Sequence, residues 1–273
     1  MIAPPGRDRV HWLVLAALIA ASNGVAAPVF LAIEKQGALG ALLNTFGVSP
    51  IFWFVMFIAG AIAFEPDRES PLRSADKWVL ALILLLALIP VVSAGSAGVL
   101  LAGLWLASSG SSGSRARRSG LVLLALTTSL IWGHLFLAFL GDRIVSLDGQ
   151  FVAWLAGTQA QGNLVGFNDG GKPMMIAYGC SSLHNLTMAI QFWVAITQLL
   201  RIPLSRGSLL LLAAAIAGNV LVNGLRLATI AHNREAFDYW HVGGGGTLFA
   251  WAAVITVAVI VMVGSHALAP RRV

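Results

Sequence analysis

Three polar side chains with the chemistry of a thiol-dependent reaction stand out in a sequence that is otherwise mostly apolar. Cys180 is the only cysteine and lies in YGCSSLHN, residues 178–185. Arg226 ends NGLR, residues 223–226, and His241 lies in FDYWHVGGGG, residues 237–246. A thiolate is a nucleophile, a histidine can take and return its proton, and an arginine can bind a developing oxyanion. The three residues predict a nucleophilic site wherever the fold brings them together.

The setting of Cys180 bears on whether its thiol is reactive or inert. By default a free cysteine behaves as a small buried hydrophobe. Here it follows Gly179, and we expect it in the first turn of a helix, where unpaired backbone N–H groups and the helix dipole favour a thiolate. Ser181 and Ser182 are expected to cap that helix. A lone cysteine excludes an intramolecular disulfide, and no closely spaced pair of histidine or cysteine residues indicates a zinc site.

Arg226 shares one predicted helix face with Asn219 and Asn223, which precede it by two turns and one turn, respectively. An arginine near a helix end has a simpler explanation, because its side chain can reach the membrane interface, and asparagines can serve as structural links between helices. Asparagine is costly at membrane depth unless it bonds across helices, so we expect this stripe to face other helices. Arg226 would then supply a positive charge to an oxyanion or a substrate carboxylate, with Asn223 orienting it.

Spacing alone does not identify the histidine partner of the cysteine. His184 lies one helical turn after Cys180, His232 near the end of the following span, and His241 in the loop before the last span. A Cys–His pair is recognised by neighbourhood in space, so all three are candidates on these grounds. The other three of the six histidines lie in or near apolar spans and are interpreted as structural or interfacial: His11, His134 and His266.

The elements that must position these residues are membrane helices. The chain is 58% hydrophobic and only 10% charged, whereas soluble domains have about 25% charged residues. A polytopic membrane protein is therefore predicted, with lipid as its surroundings. The net charge of +6 comes from basic residues in short loops, where they set membrane orientation and do not indicate nucleic-acid binding. The first apolar run has no small-residue cleavage site after it and is interpreted as a retained span.

Eight apolar stretches approach the roughly 20 helical residues that cross a bilayer. They cover residues 10–32, 45–64, 78–94, 96–109, 120–140, 180–200, 207–229 and 247–265. The third and fourth predict either a tight hairpin or one helix kinked at Pro90, which would leave seven spans. Eight spans place most of the 17 lysine and arginine residues on the side of the N-terminus, so the positive-inside rule favours eight, with both termini cytoplasmic. Cys180, Arg226 and His241 then share the outer face.

The polar segment 141–178 is predicted to cap the bundle on that outer side. DRIVSLDGQFVAWLAG has the pattern of an amphipathic helix in the membrane interface, and Asp169–Gly170 between apolar runs predicts a β-hairpin. The expected fold is an all-α polytopic membrane protein of about eight transmembrane helices with a small outer cap of β-hairpin and amphipathic helix. Residues 1–273 would form one integral membrane domain, with the cap at 141–178 and a catalytic half at 178–265.

Taken together, GCSS, NGLR and YWHVGGGG resemble the exosortase/archaeosortase family of multi-spanning membrane transpeptidases, best over residues 141–265. The resemblance implies Cys180 as nucleophile, Arg226 as catalytic arginine and His241, in its aromatic and glycine-rich setting, as the histidine partner in preference to His232. Asn223, Ser181 and His184 would support them. SSLHN departs from the family pattern, in which a glycine often follows the serine.

The resemblance also implies an activity. Such enzymes cleave proteins carrying a C-terminal sorting signal, which consists of a short motif such as Pro-Glu-Pro, an apolar span and a basic tail. The implied reaction passes through a thioester, needs no metal or organic cofactor, and takes place at the outer, periplasmic face of the bacterial cytoplasmic (inner) membrane.

Other functional classes make different demands on the sequence. A transporter, or another non-enzymatic membrane protein that handles lipid or polysaccharide, is expected to have ionisable or broken-helix sites near mid-membrane, whereas the polar groups here gather at one face. A structural scaffold would tolerate replacement of all three site residues. A rhomboid-type serine protease is a weaker alternative, because the chain has no Gly-x-Ser-x-Gly.

Overall fold

The computed structural model describes residues 8–66, 71–241 and 243–269. Over these ranges the chain is mainly helical. The helices are α1 (Arg9–Gly24), α2 (Ala26–Leu43), α3 (Pro50–Ala63), α4 (Ser74–Leu88), α5 (Val92–Ser109), α6 (Arg115–Thr127), α7 (Gly133–Ala156), α8 (Ser182–Leu199), α9 (Arg206–His232), α10 (Phe237–His241) and α11 (Gly244–Leu268). Short 3-10 helices occur at Thr45–Gly47 and Tyr178–Cys180.

Five helical stretches in the described ranges are long and apolar enough to cross a membrane: Ala26–Leu43, Val92–Ser109, Arg115–Ala156, Arg206–His232 and Phe237–Leu268. The apolar helix α3, Pro50–Ala63, is shorter. These helices have the lengths and composition of a helical membrane protein, as the sequence predicted. Eight crossings stay a prediction.

The first half of the chain divides differently from the predicted spans. The run 10–32 is not one helix, because α1 ends at Gly24 and α2 begins at Ala26. Helices α4 and α5 are separate and pack against each other, so the alternative of one kinked helix is wrong. Pro90 has no backbone N–H, and the extended conformation of Ile89 before it is typical of a residue that precedes proline.

The predicted break near residue 141 is also absent. Helix α6 continues through one π-helical turn, Thr128–Trp132, into α7, which runs to Ala156 and ends at Gly157 in the left-handed conformation. A separate amphipathic helix is therefore not formed. The apolar residues of DRIVSLDGQFVAWLAG do not share one environment on α7, because Val145 and Val152 are buried whereas Trp154 is largely exposed.

Three two-residue strands follow α7: β1 (Ala160–Gln161), β2 (Leu164–Val165) and β3 (Met174–Met175). They form one antiparallel sheet in the order β1-β2-β3, and Leu164 pairs with Met175. The Asp-Gly turn lies between β2 and β3. Arg234 holds this turn by donating to the carbonyl oxygens of Gly170 and Lys172, at 2.6 and 2.9 Å. That the sheet caps the bundle stays a prediction.

Contacts divide the chain into two compact units. The first unit comprises Met1–Ile131 and Val194–Ile202, and in it α1 packs on α3, α4 and α5 while α5 packs on α6. The second comprises Trp132–Trp193 and Pro203–Val273, and in it α9 packs on α7 and α11. All the predicted site residues belong to the second unit.

Ion pairs connect the helix ends of the first unit. Arg9, at the start of α1, forms a bidentate pair with Asp76 of α4, and both side chains are almost fully buried. Arg115 of α6 pairs with Asp8 and donates to the carbonyl oxygen of Ala63 at the end of α3. Basic residues that the sequence identified as orientation signals thus also bind neighbouring helices together.

Candidate active site

The segment that carries the cysteine reaches α8 through a tight turn. Cys180 ends the 3-10 helix Tyr178–Cys180, and its backbone N–H bonds to the carbonyl oxygen of Ala177 at 2.9 Å. Ser181 is extended, with ψ at 155°, so α8 begins only at Ser182. The prediction that Cys180 lies in the first turn of the helix is therefore wrong. The backbone N–H of Ser182 bonds to Oδ2 of Asp148 at 2.9 Å and is not free to stabilise a thiolate.

The cysteine faces a histidine from a distant part of the chain. Sγ of Cys180 lies 3.5 Å from Nε2 of His241, and both residues are partly buried. His241 ends the short helix α10, and its ring lies against that of Phe237 with centroids 5.0 Å apart. This distance suits proton transfer between thiol and imidazole.

The competing histidines have different surroundings. Nδ1 of His232 lies 2.6 Å from Nδ2 of Asn168, so this histidine contacts the turn between β2 and β3. The side chain of His184 lies outside the described part of the structure. His241 is therefore the histidine that the structure brings to Cys180.

Helix α9 contacts the cysteine segment through its asparagines. Nδ2 of Asn223 donates to the carbonyl oxygen of Cys180 at 3.0 Å, and Nδ2 of Asn219 donates to that of Asn185 at 2.7 Å. Both side chains are buried, as expected for asparagines that face other helices. Asn223 was expected to orient the arginine, but its amide hydrogen bond goes to the backbone of the cysteine.

Arg226 follows Asn223 by three residues and so lies one turn further along nearly the same face of α9. Its Nε is buried, and in the part of the chain that the structure describes this atom has no hydrogen-bond partner. No described hydrogen bond links its Nε to Cys180 or His241. The structure thus brings the cysteine together with the histidine and with Asn223, whereas Arg226 is related to them only by its position one turn after Asn223 on α9.

Comparison with known proteins adds the family. The chain matches the family described as Transmembrane exosortase (Exosortase_EpsH) over residues 45–258, which include Cys180, Arg226 and His241. The chain belongs to the transmembrane exosortase family. Neither a curated protein nor a solved structure matches it. Membership confirms the predicted family and makes this chain an integral membrane protein.

One polar residue that contacts the cysteine segment is not among the site residues that the sequence predicted. Asp148 of α7 is only 7% exposed and accepts the backbone N–H of Ser182, two residues after the cysteine. The helix cap expected from Ser181 is not formed, because its buried Oγ has no partner among the described residues. A carboxylate within an otherwise apolar helix face was the available signal, but it was interpreted as part of an interfacial helix.

A second carboxylate of α7 bonds to the start of the cysteine segment. The hydroxyl of Tyr178 donates to Oδ1 of Asp142 at 2.5 Å, in an exposed position. This hydrogen bond raises the pKa of Tyr178, and partial desolvation adds to the effect. The phenol is therefore a neutral donor. Across the described residues, no group of three or more histidine, cysteine, aspartate or glutamate side chains could hold a metal ion.

Proposed function

We propose that this chain is a membrane-embedded cysteine peptidase and transpeptidase that cleaves the C-terminal sorting signal of secreted proteins. The observation that carries the proposal is the 3.5 Å approach of Cys180 Sγ to His241 Nε2, between residues 61 positions apart. Family membership supports the reaction class, because it suggests a membrane transpeptidase that acts on sorting signals.

The proposed reaction begins when His241 Nε2 takes the proton from Cys180 Sγ. The thiolate attacks the scissile carbonyl carbon, and the carbonyl oxygen becomes an oxyanion. The C–N bond then breaks, the leaving amine takes the proton held by His241, and a thioester to Cys180 remains. An amine acceptor or water attacks the thioester, loses a proton to His241 and releases the thiol.

Arg226 is proposed to bind the oxyanion. The guanidinium is permanently charged and offers several N–H donors in a plane. Arg226 is partly buried and lies one turn after Asn223, whose amide bonds the carbonyl oxygen of Cys180, and this position supports a role for its guanidinium near the nucleophile. Electrostatic stabilisation of this kind is strongest where water is excluded.

The proposed substrates are proteins whose C-terminal signal consists of a short motif, an apolar span and a basic tail. Such a span would lie in the same bilayer as the enzyme and bring the motif to the membrane surface. We place the enzyme in the bacterial inner membrane with its site on the periplasmic face, because the positive-inside rule favours cytoplasmic termini.

We further propose that the chain crosses the membrane eight times. Helix α2 is long and apolar enough to cross, but we propose that it does not. Arg115 contacts both Asp8, before α1, and the carbonyl oxygen of Ala63, at the end of α3. The start of α1 and the end of α3 therefore lie at the same end of the first unit. The end of α1 and the start of α3 then lie at the opposite end, and α2 connects them there without crossing.

The shape of α2 supports this topology. Gly37, with φ at 71° and ψ at 168°, breaks the helix in its middle. A Cβ placed on Gly47 would lie 3.5 Å from Cβ of Ala32, so the chain after the break returns alongside the chain before it. The proposed crossings are α1, α3, α4, α5, the continuous helix α6–α7, α8, α9 and α11.

The decisive experiment compares Cys180→Ala and His241→Ala with His232→Ala in proteoliposomes that contain a reporter with a C-terminal sorting signal. The first two variants should abolish cleavage, whereas His232→Ala, whose described side-chain hydrogen bond goes to Asn168 in the β2–β3 turn, should retain most of it. Cleavage by Cys180→Ala at the wild-type rate would disprove the proposed function, and a transporter or scaffold would then be favoured.

A membrane-impermeant thiol reagent tests the orientation in right-side-out vesicles. Because Cys180 is the only cysteine, every label reports on the site. Labelling from outside supports the periplasmic site. Labelling only after the inner face is opened would invert the proposed topology.

A further inference from the structure

Asp148 links a neighbouring helix to the turn that carries the nucleophile. It lies on the buried face of α7, and Oδ2 accepts the N–H of Ser182, the first residue of α8, at 2.9 Å. A buried carboxylate is costly unless hydrogen bonds compensate for lost water. A bond from N–H to a charged acceptor is also stronger than one between neutral groups. The site thus contains a buried charge that the proposed reaction has not used.

The helix start could have been capped more simply from within its own segment. Ser181 directly precedes α8, is 1% exposed, and leaves its Oγ without a partner among the residues described. A local serine cap would stabilise α8 alone. A cap supplied by α7 also fixes where α8 begins relative to α7.

Close packing holds α7 near this segment. A Cβ added to Gly149, the neighbour of Asp148, would lie 2.5 Å from the carbonyl oxygen of Gly162. A Cβ added to Gly141 would lie 2.9 Å from the ring of Tyr178. Gly149 therefore permits close approach of α7 to the turn between β1 and β2, and Gly141 permits close approach to the side chain of Tyr178, which begins the segment that carries Cys180.

The nucleophile lies between two such restraints. Asn223 of α9 holds the carbonyl oxygen of Cys180, and Asp148 of α7 holds the N–H of Ser182. Only Ser181 separates the two bonded residues, so the backbone on the C-terminal side of Cys180 is fixed from two helices. The direction of Sγ toward Nε2 of His241 depends on that backbone.

We propose that Asp148 is a positioning residue for the proposed reaction. Its carboxylate fixes the backbone at Ser182 and so keeps Cys180 Sγ directed at His241. The inference rests on the proposed function, but it makes a claim of its own about thiol geometry that needs no protein substrate. The contribution comes from the hydrogen bond, which an asparagine Oδ1 can accept as well.

The test measures alkylation of Cys180 by iodoacetamide in the purified full-length protein, together with processing of a sorting-signal reporter. Asp148→Ala should slow alkylation and lower kcat by about tenfold or more with little change in KM, since removal of one hydrogen bond to a charged group misplaces the thiol. Asp148→Asn should restore both rates to within about threefold of wild type. Asp142→Ala is the matched control, because it removes a carboxylate of α7 whose described hydrogen bond goes to the exposed Tyr178 phenol and not to the backbone after Cys180, and it should change neither rate appreciably.

A double-mutant cycle with His241→Ala isolates positioning from general damage to the fold. If Asp148 acts by directing Sγ at His241, then Asp148→Ala should have little further effect on alkylation once His241 is replaced. If the effects of Asp148→Ala and His241→Ala on the alkylation rate multiply independently, the proposal is overturned. It is also overturned if Asp148→Asn is alkylated as slowly as Asp148→Ala, or if Asp148→Ala is alkylated as fast as wild type. Failure of the wild type to process the reporter would refute the proposed function only, since the alkylation cycle would still decide the role of Asp148.

Discussion

Replacement of Asn223 by alanine tests how far the reaction depends on the backbone at the nucleophile. Nδ2 of Asn223 donates to the carbonyl oxygen of Cys180 at 3.0 Å, in a position where the asparagine is 7% exposed. Loss of the donor leaves that carbonyl without this partner in a mostly buried place, which costs about 1–3 kcal/mol. If the whole cost falls on the transition state, kcat/KM decreases by about 5- to 150-fold.

Asn219 provides a matched control on the same helix, one turn earlier. It is also an asparagine that donates to a backbone carbonyl, that of Asn185 at 2.7 Å, but this carbonyl is five residues from Cys180. The buried Oδ1 of Asn219 has no partner within the described ranges. Asn219→Ala therefore loses one hydrogen bond but also removes an unsatisfied buried acceptor, and the two effects on stability oppose each other. We therefore expect Asn219→Ala to cost less stability than Asn223→Ala and to leave kcat/KM almost unchanged.

The assay is reporter processing in proteoliposomes, with the thermal stability of each variant measured in detergent. The expected result is a selective loss of activity in Asn223→Ala. Equal losses of activity in the two variants at equal stability would refute the reasoning, because the effect would then follow the loss of any buried asparagine on α9. Wild-type activity in Asn223→Ala would refute it as well.

Three further predictions concern the arginines and one glutamate. Arg226→Lys should lower kcat by about 10²–10³, measured by reporter processing, because lysine lacks the planar donors proposed to bind the oxyanion; near wild-type activity would exclude that role. Arg9→Met should cost about 3–5 kcal/mol in the free energy of unfolding, measured by denaturant titration, because it leaves the fully buried Asp76 without its cation; a cost under about 1 kcal/mol would contradict a buried ion pair. The hydrogen bond from Arg118 holds the pKa of Glu65 below its usual 4.5, although burial opposes this effect. The ionised Glu65 therefore contributes to stability above about pH 4.5, and this contribution is lost as the pH falls through the folded-state pKa of Glu65. Acid titration of thermal stability should therefore show a loss below about pH 4.5 that is smaller in Glu65→Gln, and identical acid profiles would rule this out.

The chemistry of the candidate site could be predicted from residue types, because few side chains in so apolar a chain can act as nucleophile, base or fixed cation. Cys180 and Arg226 stand out in this way, whereas the preference for His241 came from the resemblance to the exosortase family, which is confirmed as the family of this chain. The inward-facing asparagines of α9 were also predictable, since a helical period of 3.6 residues relates Asn219, Asn223 and Arg226 along the helix. The choice among histidines was not predictable from spacing, because it depends on contacts between residues far apart in sequence.

Helix boundaries were predicted less well for a physical reason. An apolar run in a membrane protein carries little information on where the chain turns, since lipid accepts the same side chains on every face. The division between α1 and α2 at Val25, and the continuation of α7 to Ala156, could not be deduced from hydropathy. The break between α4 and α5 lies at Pro90, whereas the predicted third span continued to residue 94 and Pro90 was assigned only to the alternative of one kinked helix.

The sequence by itself determined that the protein is a helical membrane protein with one thiol, because composition sets which environment the chain can enter. The tertiary structure alone decided that Cys180 precedes α8, that His241 is its neighbour, and that Asp148 holds the following backbone. The second and third of these depend on contacts between residues 61 and 34 positions apart, respectively. Local conformational propensity cannot predict contacts between residues so far apart in sequence. They arise only when α7 and α9 pack around the short turn that carries Cys180.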